Sequence, residues 1–135
     1  MQPRHEFRAH TAEIELFLAA PDLRSLFVEA GRALAELMAG EPLVPSGEAV
    51  EVAVRAEDRE ALLVGWLNEL IFRSERDKRI YLAFELEQLT PRSLIARIRG
   101  AEPRTLKTAV KAATFHLLKI VETASGFTAT VVLDV

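Results

Sequence analysis

Residues 58–71 read Asp-Arg-Glu-Ala-Leu-Leu-Val-Gly-Trp-Leu-Asn-Glu-Leu-Ile, and this stretch decides the fold because it predicts a helix with one apolar side. Asp58 is a favourable N-cap residue for such a helix. Apolar positions follow it at three- and four-residue spacing: Leu62, Leu63, Trp66, Leu67, Leu70 and Ile71. A helix of this kind must bury its apolar side, so we expect another layer of structure beside it.

A second amphipathic helix is predicted to begin after Asp22, which is again a good N-cap. Its apolar positions show the same spacing: Leu23, Leu26, Phe27, Ala30, Leu34, Leu37 and Met38. Gly40 and Pro42 are expected to end this helix, because glycine favours a left-handed C-terminal turn and proline cannot continue a helix.

Four stretches alternate apolar and other residues with the period of two that is typical of strands. They cover residues 50–55, 80–87, 94–99 and 127–134. A further strand is expected near residues 110–116. Turn-forming residues at 90–92 and 124–126 favour two antiparallel hairpins among the last four strands, of which this is one. We predict an α+β fold: a two-layer sandwich of mostly antiparallel sheet with two amphipathic helices on one face, in a single domain over residues 1–135.

The stretch 106–121 fits two structures. Six apolar residues have helical spacing: Leu106, Ala109, Val110, Ala113, Leu117 and Leu118. The alternation between residues 110 and 116 fits a strand equally well. We favour a strand with a bulge, because Thr114-Phe115-His116 has strand propensity and precedes a predicted hairpin tip.

The composition is that of an ordinary globular protein. The chain has 135 residues, of which 50% are hydrophobic and 27% are charged. It has no cysteine, so disulfides and thiolate metal sites are excluded. No apolar run approaches the roughly 20 residues of a membrane helix, and residues 1–6 lack the apolar stretch of a secretory signal. We expect a cytoplasmic protein.

The charge distribution gives no indication of direct nucleic-acid binding. The net charge is −3 and the basic residues are scattered along the chain. The nearest approach to a basic cluster is Arg97, Arg99, Arg104 and Lys107, which fits protection of a sheet edge better than an RNA footprint. If this protein acts on RNA, we expect it to do so through another protein.

The chain contains none of the common catalytic motifs. No Gly-x-Ser-x-Gly element is present, and the six glycines are isolated, so neither a nucleophile elbow nor a phosphate-binding loop can be built. The three histidines, His5, His10 and His116, lack the spacing of a transition-metal site. We therefore expect no catalytic residue and no enzymatic activity.

Acidic residues inside two apolar stretches are the most informative polar feature. Residues 10–15 read His-Thr-Ala-Glu-Ile-Glu, which we interpret as a strand, and residues 133–135 read Leu-Asp-Val. Glu13 and Glu15 are two residues apart and so share one face. Acids brought together either raise one another's pKa or bind a cation such as Ca²⁺ or Mg²⁺. The alternative is that Glu13, Glu15 and Asp134 are solvated residues of a sheet edge.

Two basic side chains are candidates to complete such a site. Lys111 can offer a cation to pair with the acids, or it can simply be a strand residue that reaches solvent. His116 and Lys111 face opposite sides of a regular strand, so placing both in one site requires a bulge or a turn.

Four segments of the chain resemble the archease family. Residues 10–14 resemble its His-Thr-Ala-Asp-Ile signature, and residues 66–71 resemble its Trp-Leu-Asn-Glu-Leu helix. Residues 106–116 resemble its Ile-Lys-Ala-x-Thr-Tyr-His segment, and residues 132–135 resemble its terminal aliphatic-Asp-aliphatic sequence. The order and spacing of the four segments also fit, and the segments are distributed over nearly the whole chain, from residue 10 to residue 135.

The resemblance implies a function that spacing alone does not. Archeases are small protein cofactors of the RNA ligase that joins 2′,3′-cyclic phosphate or 3′-phosphate ends to 5′-hydroxyl ends in tRNA splicing and RNA repair. They promote guanylylation of the ligase and its multiple turnover. The family's metal site maps to Glu13, Asp134 and the carbonyl or carboxylate of Val135, with His10, Glu15, Lys111 and His116 as accessory candidates.

This sequence departs from the family pattern within that site. Glu13 stands where the family has aspartate, which lengthens the carboxylate by one methylene without changing its charge. Glu15 stands where the family has a small residue, so it either crowds the site or adds a ligand. The alternative function is a general molecular chaperone or protein-binding module of the same fold without a ligase role.

Overall fold

The computed structural model describes residues 1–135, in which eight strands and two helices follow one another. In chain order they are β1 (Arg4–His10), β2 (Glu13–Ala20), α1 (Leu23–Ala39), β3 (Ser46–Arg55), α2 (Arg59–Asp77), β4 (Ile80–Thr90), β5 (Ser93–Ala101), β6 (Ala112–Thr114), β7 (Val121–Thr123) and β8 (Gly126–Asp134). Neither helix is both long enough and apolar enough to cross a membrane.

Both predicted helices are confirmed, and both begin at the predicted caps. The Asp22 carboxylate accepts the Ser25 N–H at 2.7 Å, and the Asp58 carboxylate accepts the Ala61 N–H at 2.8 Å. These bonds satisfy backbone donors that the first helical turn leaves free. Gly40 ends α1 in the left-handed conformation, with φ of 68°, as the sequence predicts.

The strands form two antiparallel sheets. The larger sheet has the order β1-β2-β8-β6, with β7 also paired to β8, and the smaller sheet has the order β3-β5-β4. Each helix contacts strands of both sheets, so both sheets share one apolar core through the helices. The α+β class, with antiparallel strands and two helices, is confirmed, and the division into two sheets is what the structure adds.

Trp66 of α2 lies at the centre of the core. Its side chain is fully buried, and its indole Nε1 donates to the carbonyl oxygen of Phe27 at 2.9 Å. The indole also makes an edge-to-face contact with Phe84 of β4, with 5.7 Å between ring centroids. The bond ties α2 to α1 and the ring contact ties α2 to the smaller sheet, so one residue links three elements of the fold.

The N-terminal segment differs from the prediction. Residues 10–15 are not one strand: β1 ends at His10, a turn follows at Thr11 and Ala12, and β2 begins at Glu13. Ala12 has a φ of 61°, in the left-handed region that such a tight turn requires. β1 itself was not predicted, because one of its faces carries only charged residues and histidine and the other has only Phe7 and Ala9 as apolar residues.

The prediction for residues 106–121 is right only in part. Ala112–Thr114 forms a strand, but residues 106–111 are irregular, and a turn rather than a strand follows Thr114. β6 and β7 both pair with β8, so the C-terminal hairpin joins β7 to β8 across the predicted turn. The irregular segment is anchored to α1, since the Lys107 N–H donates to the Met38 carbonyl at 2.9 Å.

Candidate functional site

The strand register places Glu13 and Asp134 directly opposite each other on β2 and β8. His10 lies opposite Glu13 on the other side, and Ala112 lies opposite Asp134. Residues directly opposite in antiparallel strands point to the same face. Glu15 points to that face too, because it is two residues beyond Glu13. We call Glu13, Glu15 and Asp134 the acidic edge.

The last residue of the chain is held beside this edge by backbone hydrogen bonds. The Val135 N–H donates to the Ala12 carbonyl at 3.2 Å, and the Lys111 N–H donates to the Asp134 carbonyl at 2.8 Å. Val135 and Glu13 are half-buried, whereas Asp134 is exposed. The three residues that the resemblance assigns to a metal therefore lie together at one end of the larger sheet.

The carboxylates of Glu13 and Asp134 have no partners within the protein. Neither forms an ion pair or accepts a hydrogen bond from another side chain. Like charges directly opposite in a sheet destabilise the pairing. A divalent cation between them would remove that repulsion, and carboxylate oxygens are the ligands that Ca²⁺ and Mg²⁺ prefer. The donor set at this position therefore fits a hard cation.

The side chains alone do not supply a complete coordination shell. No group of three or more His, Asp or Glu side chains is arranged so that it could hold a metal ion. A cation held by Glu13 and Asp134 would need further oxygen ligands, for which Val135 and water are the candidates.

Glu15 and His10 form a pair of their own at this edge. The Nε2 atom of His10 lies 3.6 Å from a carboxylate oxygen of Glu15. Arg8 also lies opposite Glu15 in the register of β1 and β2. Glu15 thus lies within ion-pair distance of His10, whereas the carboxylates of Glu13 and Asp134 form no ion pair, although His10 is opposite Glu13 in the register.

The side chains of the other two accessory candidates make no ion pair or hydrogen bond with the acidic edge, although the backbone N–H of Lys111 bonds Asp134. Lys111 forms no ion pair, and it borders a cavity of about 420 Å³ between the C-terminal part of α2 and residues 103–111. His116 lies in the exposed turn after β6 and forms no ion pair either. The residue opposite Asp134 on this side is Ala112, which offers no polar side chain.

One residue that supports the site was missed by the sequence analysis. The side-chain amide of Asn68 bonds to both backbone groups of Ala113 in β6. The sequence does contain a signal for Asn68: it carries a polar amide, yet it lies in the predicted helix between Leu67 and Leu70, which belong to the apolar stripe. Such a group must find a partner when the helix packs.

In the smaller sheet, one residue of the sequence's nearest basic cluster lies between two acids. Arg97 of β5 lies opposite Glu51 on one side and Glu85 on the other. Alternating charges across neighbouring strands attract one another and weaken any field that would draw in RNA. Arg104 and Lys107 lie in the segment after β5, outside this sheet.

The comparisons with known proteins agree with one another. Residues 5–135 match the model of the Archease protein family (MTH1598/TM1083). The chain is 30% identical to the protein archease of Methanosarcina acetivorans, over 98% of this chain and 96% of that one. It is also 30% identical to the protein archease of Methanothermobacter thermautotrophicus, over 96% of each chain.

Two solved structures share the fold. The solution structure of Methanobacterium thermoautotrophicum protein 1598 superposes with a TM-score of 0.77 at 28% identity, covering 97% of this chain and 98% of that chain. The crystal structure of a Thermotoga maritima archease, described as a possible chaperone, has a TM-score of 0.71 at 24% identity, covering 98% of this chain and 100% of that chain. With the family match over nearly its whole length, the chain belongs to the archease family.

Proposed function

We propose that this protein is a protein cofactor that activates an RNA ligase of the type that joins 3′-phosphate or 2′,3′-cyclic phosphate ends to 5′-hydroxyl ends. Membership of the archease family supports the partner class. The observation that carries the proposal is the pair of opposed, unpartnered carboxylates of Glu13 and Asp134. This arrangement costs stability unless a cation or a partner's positive charge compensates it, so it is the group most suited to act on another molecule.

Glu13, Asp134 and an oxygen of Val135 would hold a divalent cation at the end of the larger sheet. A bound cation would supply positive charge that attracts the phosphate oxygens of a nucleotide or an RNA end. The protein itself positions the ligands: the Thr11-Ala12 turn brings Glu13 to the start of β2, and the bond between Val135 and Ala12 fixes the last residue. Thr11 and Ala12 are exposed, so this end of the sheet is free to enter a cleft in a partner.

The test is multiple-turnover joining of RNA ends by the ligase of the same organism, with ligase limiting. We expect the wild-type protein to increase both the number of turnovers and the fraction of guanylylated ligase. The variants Glu13→Gln and Asp134→Asn remove charge while keeping side-chain volume. Each is expected to lose about tenfold or more of the stimulation, since one of only two side-chain ligands has lost its charge.

Glu122→Gln is the matched control, because Glu122 is an exposed acid on β7 that takes no part in the acidic edge. It is expected to stimulate as the wild type does. Full stimulation by both Glu13→Gln and Asp134→Asn would contradict the role of the acidic edge. No stimulation by the wild type, with folded protein and active ligase, would contradict the ligase role itself.

A second candidate function is that of a molecular chaperone. Several large apolar side chains are exposed, among them Phe72, Phe115 and Leu117, and exposed apolar surface binds unfolded chains. The related Thermotoga maritima structure is described as a possible chaperone. Suppression of aggregation of a heat-denatured test protein, unchanged in Glu13→Gln and Asp134→Asn, would favour this function over ligase activation.

A further inference from the structure

The turn that follows β6 exposes two large apolar side chains. We call residues 115–118 the apolar turn; the Leu118 N–H donates to the Phe115 carbonyl at 3.1 Å and closes it. Phe115 is 61% exposed and Leu117 is 84% exposed. Among the large hydrophobic residues that are exposed in this protein, Leu117 has the greatest exposed fraction.

Leu117 also has an unfavourable backbone conformation. Its φ is 55°, in the left-handed region that glycine and asparagine adopt readily and that a bulky side chain disfavours. Strain of this kind usually persists where the surrounding structure or a function requires it. A buried leucine would compensate the strain by packing, but this side chain lies in solvent. Nothing within the protein therefore explains a leucine at this position.

The apolar turn is anchored by hydrogen bonds on both sides. Before it, the Thr114 hydroxyl donates to the Val132 carbonyl at 3.1 Å and accepts the His116 N–H at 3.4 Å. After it, the Ile120 N–H donates to the Glu60 carboxylate at 2.9 Å, and Arg59 donates to the Ile120 carbonyl at 3.2 Å. A loop that is ordered before binding loses little conformational entropy on binding. These bonds thus anchor both ends of the turn that presents Leu117.

The chemistry of the turn favours a protein surface over RNA as its partner. Single-stranded RNA is bound by several aromatic rings and a groove of cations, but the only rings between residues 114 and 121 are those of Phe115 and His116, and the most exposed side chain, Leu117, has no π face. The charged or titratable side chains in that segment are His116 and Lys119, with no acid among them. An apolar anchor flanked by basic groups fits an apolar pocket with an acidic rim.

The position of the turn points to the same partner as the acidic edge. β6 begins at Ala112, opposite Asp134, and ends at Thr114, immediately before the turn. Three strand residues span about 10 Å. A protein interface of standard size covers about 800 Å² on each partner, which is enough to include both features.

We propose that the apolar turn is a second contact with the RNA ligase, in which Leu117 inserts into an apolar pocket with an acidic rim on the ligase surface. This inference rests on the proposed function and adds a docking element to it: the acidic edge acts on the ligase, and Leu117 sets the affinity. The leucine at this left-handed position then contributes to binding and not to folding.

The experiment compares Leu117→Asn and Leu117→Gly with the wild type in three measurements: the urea midpoint, the Kd for the ligase, and the concentration that gives half-maximal stimulation. Both replacements tolerate a left-handed conformation, so the midpoint is expected to stay the same or rise. Kd and the half-stimulating concentration are expected to rise about tenfold or more, the effect of removing a central anchor. Val44→Asn is the matched control, since Val44 is 83% exposed in a different loop. This substitution should change neither the Kd nor the half-stimulating concentration.

Each contrary outcome is informative. If the wild type binds and stimulates the ligase and Leu117→Asn does so equally well, the docking inference is overturned while the proposed function stands. If the wild type neither binds nor stimulates, both fail together. A lower urea midpoint for both variants would assign Leu117 to folding and overturn the inference. The inference would also be overturned if the wild type bound the RNA substrate in the absence of the ligase and Leu117→Asn lost that binding.

Discussion

The side-chain amide of Asn68 bonds both backbone groups of Ala113, donating from Nδ2 to the carbonyl oxygen at 3.1 Å and accepting the N–H on Oδ1 at 2.8 Å. One residue of α2 thus replaces the neighbouring strand that β6 lacks on this side. Ala113 is only 5% exposed, so water cannot easily substitute for these bonds. Because β6 pairs with the end of β8, this amide also supports the strand that carries Asp134.

Replacing Asn68 with alanine is expected to destabilise the protein by about 2 kcal/mol or more, because two buried backbone groups lose their partner. Urea unfolding measures the free energy, and hydrogen exchange of the Ala113 amide should become faster. Gln88→Ala removes an exposed amide from β4 and is expected to cost less than about 0.5 kcal/mol. Equal effects of the two substitutions would contradict the role of Asn68.

The contact between His5 and two glutamates is expected to make the stability of the protein depend on pH. The His5 ring bonds Glu29 through Nδ1 at 2.6 Å and Glu36 through Nε2. Burial of the ring lowers its pKa, but the hydrogen bonds to the two carboxylates and their charges raise it, and the net pKa lies above the ordinary value. Arg32 approaches Glu29 at 3.9 Å and competes weakly for its charge.

The folded-state pKa of His5 exceeds the unfolded value of about 6.5. The stabilisation that protonated His5 gives to the folded state is therefore fully present below the unfolded pKa. It is lost as pH rises through the folded-state pKa. The difference in unfolding free energy between wild type and His5→Gln should therefore shrink as pH rises from about 6 to about 9. If the unfolding free energies of wild type and His5→Gln differed by the same amount at every pH in this range, His5 would not hold β1 to α1 through its charge.

Gly126 is expected to tolerate no side chain. Its φ is 153°, and a Cβ atom there would clash with the carbonyl oxygen of Ala20 and lie 2.8 Å from the Cα of Pro21. Both obstacles are backbone and cannot move aside, so we expect Gly126→Ala to cost about 3 kcal/mol or more. The measurement is the urea midpoint of each purified variant.

Gly47 provides the matched comparison for Gly126. It also has a positive φ, of 76°, but the nearest atom to an added Cβ is Nη2 of Arg79 at 3.6 Å. Gly47→Ala should therefore show the backbone strain alone, about 1 kcal/mol. If the two alanine variants were equally stable, the close approach of Gly126 to the end of β2 would not be an important packing constraint.

A divalent cation should stabilise the wild-type protein through the acidic edge. The expected gain is about 2.7 kcal/mol when free Ca²⁺ or Mg²⁺ is about a hundred times its Kd. The double variant Glu13→Gln, Asp134→Asn should show no cation-dependent gain in stability. Without cation, its unfolding temperature should be higher than that of the wild type, because the repulsion between the two carboxylates is gone. Thermal unfolding with cation and with chelator measures both effects. A cation response that persists in the double variant would place the binding elsewhere.

The helices could be predicted because the interactions that define them are local. Asp22 and Asp58 bond to N–H groups three residues along the chain, and apolar spacing reports directly which side of a helix is buried. For the same reason the β4–β5 hairpin follows from the turn residues at 90–92. The sequence offered the proximity of Glu13 and Asp134 only as one of two alternatives, which the resemblance to a family then favoured, since strand pairing between the two ends of the chain leaves no local pattern.

The tertiary structure decided which strands are neighbours, and with it the composition of the candidate site. Alternation along β2 and β8 shows which face is buried, but the register that sets Glu13 opposite Asp134 depends on the packing of the whole sheet against α1. The same packing leaves Lys111 beside a cavity next to α2 and His116 in an exposed turn. The sequence by itself determined the helices, their caps and the β4–β5 hairpin, because these depend on contacts only a few residues apart. The site formed only when packing of the core brought distant strands together.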